Sequence, residues 1–85
     1  MYTVLFSEKA LKFLEKMDKE PQKQIIKGLE KIRLRPEDFL IKLIGDSGYK
    51  LRIGDHRLII DLNKEQLQIL IIELGLRKNI YKQDS

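Results

Sequence analysis

The residues of this chain most suited to chemistry are Lys50, Arg52, Arg57, Arg77 and Tyr81. Lysine and arginine neutralise phosphate, and the guanidinium fork binds phosphate oxygens in pairs. A phenol can exchange a proton or stack on a base. In Tyr49-Lys50-Leu51-Arg52-Ile53 polar and apolar residues alternate, so a strand here puts Lys50 and Arg52 on one face. Gly54-Asp55 suits a two-residue hairpin turn. That turn sets Ile53 opposite His56, Arg52 opposite Arg57 and Leu51 opposite Leu58. Lys50, Arg52 and Arg57 then share the face away from Leu51, Leu58 and Ile60. Arg77 and Tyr81 are spaced i and i+4, so on a helical turn they point the same way.

Like charges directly opposite across a sheet cost about 0.2–1 kcal/mol. An Arg–Arg pair therefore calls for an anion, and three sources are open. It is a carboxylate of this chain such as Asp61 or Glu73, a phosphate, or an acidic partner. The plain alternative is a solvated outer face. His56 falls on the core-side parity, away from the cations, which argues against a catalytic role. Asp61 and Glu73 lack partners at metal-ligand spacing and read as charge partners or solvated groups.

The chain has 85 residues, 17 Lys/Arg against 13 Asp/Glu for a net charge of +4, one histidine and no cysteine. That length holds one domain, residues 1–85, with one modest core. Without cysteine there are no disulfides, zinc fingers or thiol nucleophiles. No Ser/His/Asp set and no Gly-rich phosphate loop occurs. No apolar run reaches a membrane span, and the start of the chain lacks the pattern of a secretory signal, so the expected location is the cytoplasm.

The elements that must hold these groups are legible. Tyr2–Phe6 reads as a strand and Ser7 as an N-cap. Ala10, Leu11, Leu14 and Met17 predict a helix over 8–18. Pro21, placed at a first helical position, opens a second with Ile25, Ile26, Leu29 and Ile32 inward, and Pro36 ends it. Gly28 weakens that helix by about 1 kcal/mol unless close packing needs the space. Residues 39–44 are apolar and cross the domain. Strands follow over 49–53, 57–62 and 67–74, and residues 76–82 suit one or two helical turns. Ile69–Ile72 is apolar on both faces, which places its strand centrally or under cover on both sides. The fold class is α+β: an N-terminal strand, a helical hairpin, a three-strand antiparallel meander and a short C-terminal helical tail, the helices on one face of an antiparallel sheet.

The segment Tyr49–Ile60 resembles the central hairpin of the RelE/ParE toxin superfamily: aromatic, basic, Leu, basic, apolar, Gly, Asp/Asn, aromatic, Arg. Gly75-Leu76-Arg77-Lys78-Asn79-Ile80-Tyr81 resembles the closing Gly-x-Arg-x-x-apolar-Tyr of that family. Ser7-x-x-Ala10-x-Lys12-x-Leu14 and Pro36…Lys42-Leu43-x-Gly45 fit as well. The resemblance implies the toxin of a type II toxin–antitoxin pair. It implies an endoribonuclease that cuts mRNA in the ribosomal decoding site, the RNA 2′-hydroxyl attacking the adjacent phosphate without metal or other cofactor. The implied partners are a cognate antitoxin and ribosome-bound mRNA. ParE-type members instead poison DNA gyrase and usually lack the catalytic set. Matched residue by residue, Lys50, Arg52, Arg57, Arg77 and Tyr81 fall on the ribonuclease pattern. Leu76 stands where histidine is frequent, and His56 where an aromatic residue is usual. Free lysine and tyrosine titrate near about 10, a poor match to pH 7. A base drawn from Lys50 or Tyr81 therefore suits a nuclease whose substrate is already aligned, since prearranged geometry contributes roughly 7–11 kcal/mol.

Overall fold

A computed structural model describes residues 1–45 and 48–76. The described order is β1 (Thr3–Phe6), α1 (Glu8–Glu15), α2 (Lys19–Ile32), a 3₁₀ turn (Pro36–Asp38), β2 (Ile41–Lys42), β3 (Tyr49–Ile53), β4 (His56–Asn63) and β5 (Gln68–Leu76). The strands form one sheet in the order β1-β5-β4-β3-β2. The meander β3-β4-β5 is antiparallel as expected. The sheet as a whole is mixed, because β1 pairs parallel with β5 (Val4 beside Ile69, Phe6 beside Ile71). Residues 39–44 do not simply cross the domain. Ile41 and Lys42 add a two-residue antiparallel edge to β3.

Ser7 caps α1 as expected, accepting a hydrogen bond from the Ala10 N–H at 3.1 Å. The helix ends at Glu15 instead of 18, and α2 begins at Lys19 with Pro21 inside its first turn. Lys16 is the C-cap of α1, and Asp18, with extended backbone, is the N-cap of α2. Gln22 Nε2 donates to the Leu14 carbonyl at 2.8 Å, a second donor to an oxygen at the end of α1 that also accepts from the Met17 N–H at 3.2 Å. At the far end of α2, Arg33 clamps β1. Its carbonyl accepts from the Tyr2 N–H, and its Nε donates to the Tyr2 carbonyl, both at 2.9 Å.

Ala10, Leu14, Ile25, Leu29 and Ile32 from the helices close over Leu51, Leu58, Ile60, Ile69, Ile71 and Leu74 from the sheet. Gly28 belongs to that contact. A Cβ there would stand 2.6 Å from Cδ1 of Ile53, so a side chain at 28 would require the Ile53 side chain to shift. Gly54 has φ +57° at the first central position of the hairpin turn while Asp55 keeps a negative φ, the pattern of a II′ turn.

One irregularity interrupts the meander. Ile59 faces Glu73 but Ile60 faces Ile71, so Ile72 is an extra residue in β5, a bulge. The bulge reverses parity along β5. Ile69 and Ile71 point into the core before it, and Leu74 does so after it. Glu73 and Gly75 consequently lie on the opposite face, with Ile59 and Arg57. Central placement of the Ile69–Ile72 run holds, since β5 lies between β1 and β4, although Ile72 itself is exposed.

Candidate anion-binding site

The β3-β4 hairpin has the register expected from its turn: Arg52 opposite Arg57, Leu51 opposite Leu58 and Ile53 opposite His56. Lys50, Arg52 and Arg57 line one cleft of about 200 Å³, together with Ile41 and Leu51. Three strands build it. Alternation in β3 presents Lys50 and Arg52, the II′ turn returns Arg57 to the same face, and β2 supplies Ile41 beside Lys50.

The three cations differ in exposure, and the sheet order explains it. Arg57 sits on the middle strand, flanked by β3 on one side and β5 on the other, and is only 4% exposed. Its partner across β5 is Gly75, which presents no side chain. Arg52 lies beyond the end of β2, which pairs only with Tyr49 and Lys50, so Arg52 is exposed while Lys50 is half-buried. The cleft thus runs from a solvated cation at its mouth to a buried one at its floor. A guanidinium removed from water attracts an anion more strongly than one at the surface.

His56 lies on the helix side as parity requires. Its ring meets Phe13 edge-on, with centroids 6.1 Å apart at 74°. Asp61 is exposed on β4. Glu73 forms an ion pair with Lys9 of α1, Nζ to Oε1 3.3 Å. Arg77 and Tyr81 lie outside the described residues. Among the described residues, no three of His, Cys, Asp or Glu gather where they could hold a metal ion, and no helix is long and apolar enough to cross a membrane.

The sequence reading missed Ile41 as a cleft residue and placed Leu51, which also lines the cleft, only on the core face. The signal was present: Ile41 and Lys42 precede a glycine-containing turn and a strand, the layout of a short hairpin partner. A two-residue strand is too short for alternation to reveal.

A helical layer on one face of a mixed five-strand sheet, with a basic cleft in its central hairpin, defines a small α+β protein with a cationic face. Residues 4–81 match the family model described as ParE toxin of type II toxin–antitoxin system, parDE, and the chain belongs to that family within the RelE/ParE toxin superfamily. An Escherichia coli protein named for its likeness to the RelE toxin is 38% identical over 80 residues, spanning 91% of this chain and 84% of its own. The toxin of the intact E. coli RelBE toxin–antitoxin complex is 27% identical, with TM-score 0.77 over 89% of this chain and 96% of that one. The archaeal RelE–RelB complex of Pyrococcus horikoshii contains a chain that is 28% identical, with TM-score 0.76, covering 89% of this chain and 94% of that one.

Proposed function

We propose that the protein is a ribosome-dependent endoribonuclease that cleaves mRNA by attack of the 2′-hydroxyl on the adjacent phosphate. The observation that carries this reading is the convergence of Lys50, Arg52 and Arg57 on one cleft with a buried cation at its floor. Arg52 meets the incoming phosphate at the mouth. Arg57, with Arg77, holds the extra negative charge of the phosphorane. Lys50 or Tyr81 takes the 2′-hydroxyl proton, and a proton passes to the 5′-oxygen as it leaves, yielding a 2′,3′-cyclic phosphate and a 5′-hydroxyl. The ribosome supplies the aligned substrate that such a set requires. This reading places the protein in the cytoplasm. A cognate antitoxin is its second partner, as the relatives solved as RelBE and RelE–RelB complexes suggest.

The matching family model is that of ParE toxins, which favours a second reading: inhibition of a protein target such as DNA gyrase. One experiment separates the two. The gene is induced and message ends are mapped on translating ribosomes, with wild type, Arg57→Ala and Tyr81→Phe. Cuts within codons that the variants lose are the expected result. Intact messages with blocked replication would overturn the nuclease reading in favour of the second.

A further inference from the structure

Glu73 is the one carboxylate that the β5 bulge brings to the face of the cationic cleft beside Arg57. Arg57 faces Gly75 and Ile59 faces Glu73, so Glu73 is the diagonal neighbour of Arg57. Diagonal pairs on one sheet face lie roughly 7–8 Å apart, within reach of long side chains. A carboxylate there lowers the positive potential that a phosphate would meet at this end of the sheet face.

The opening turn of α1 holds that corner of the sheet. The Ser7 N–H donates to the Ile71 carbonyl at 2.9 Å. The Ser7 hydroxyl donates to the carbonyl of Ile72, the bulged residue, at 2.6 Å. Two residues on, Lys9 Nζ stands 3.3 Å from Glu73 Oε1. The Glu73 side chain is 22% exposed and Lys9 71%, so the carboxylate is set into the sheet and the ammonium reaches it from solvent.

We infer that, if the cleft receives phosphate as proposed above, Lys9 is a positioning residue for it: by pairing with Glu73 it neutralises that carboxylate and preserves the positive potential at the Arg57 end of the cleft. Lys9 itself touches no substrate. Its effect passes through Glu73, and Ser7 holds the two at the required distance. Exposed ion pairs of this kind are worth little in stability, so the role is legible in anion affinity rather than in folding.

The test measures binding of a fluorescein-labelled 2′-O-methyl RNA dodecamer, which lacks the attacking hydroxyl, to the purified protein at low salt. Wild type, Lys9→Ala, Lys9→Arg, Glu73→Gln and the double variant Lys9→Ala/Glu73→Gln are compared, with Arg57→Ala as reference. Lys9→Ala should weaken binding about two- to fivefold, Lys9→Arg should restore it, and Glu73→Gln should tighten it. In the Glu73→Gln background, Lys9→Ala should have much less effect. Equal effects of Lys9→Ala in both backgrounds would overturn the inference, because Lys9 would then act on the RNA directly. If Arg57→Ala leaves binding unchanged, the phosphate reading of the cleft fails instead.

Discussion

Arg52 and Arg57 stand directly opposite each other across β3 and β4, one in solvent and the other 4% exposed. A like-charged cross-strand pair opposes folding by about 0.2–1 kcal/mol. The pair lies in the β3-β4 hairpin, five residues apart across its Gly54-Asp55 turn.

Replacing the exposed member with a neutral strand former, Arg52→Thr, should therefore stabilise the fold. The expected gain is about 0.2–1 kcal/mol at low salt, shrinking as salt screens the pair. Urea midpoints measured at two ionic strengths check it. A loss of stability independent of salt would mean that the pair is already compensated.

The same two positions should separate by function. On the nuclease reading, Arg57→Ala removes a buried transition-state cation and should slow cleavage on ribosomes by about 10²–10³-fold. Arg52→Ala should act mainly on binding, with a smaller loss that shrinks as salt screens the exposed cation. Single-turnover rates at saturating and subsaturating ribosome concentrations distinguish the two effects.

Gly28→Ala sets two terms against each other. Helix propensity favours alanine by about 1 kcal/mol, while the new Cβ would meet Ile53 Cδ1 at 2.6 Å, and overpacking costs about 1–3 kcal/mol. The substitution should be destabilising by about 1 kcal/mol alone. With Ile53→Val, which removes that Cδ1, the same change should become stabilising. Chemical denaturation of the four proteins in the cycle gives the coupling.

Ser7→Ala deletes both the α1 cap and the hydrogen bond to the Ile72 carbonyl. The expected cost is about 1–2 kcal/mol, and Ser7→Thr should recover most of it. Amide hydrogen exchange should accelerate at Ala10 in the alanine variant and remain slow in the threonine variant. Unchanged exchange at Ala10 would show that the cap contributes nothing.

What could be read from the chain alone was local. Alternation over Tyr49–Ile53 together with Gly54-Asp55 sets the register of the hairpin, because a strand repeats every two residues and a two-residue turn leaves no freedom to slip. The helical stripes through Leu14, Ile25 and Leu29 and the side on which His56 lies follow from the same periodicities. Tertiary structure decided what depends on neighbours distant in sequence. Parallel addition of β1 to β5, burial of Arg57 on a middle strand, and Ile41 as a wall of the cleft all arise from the order of strands, which alternation does not encode. The Ile69–Ile72 run is apolar at every position, so nothing in its pattern marks where parity must break. The break falls at Ile72 because β1 ends there, and Ser7 takes up the carbonyl of the extra residue.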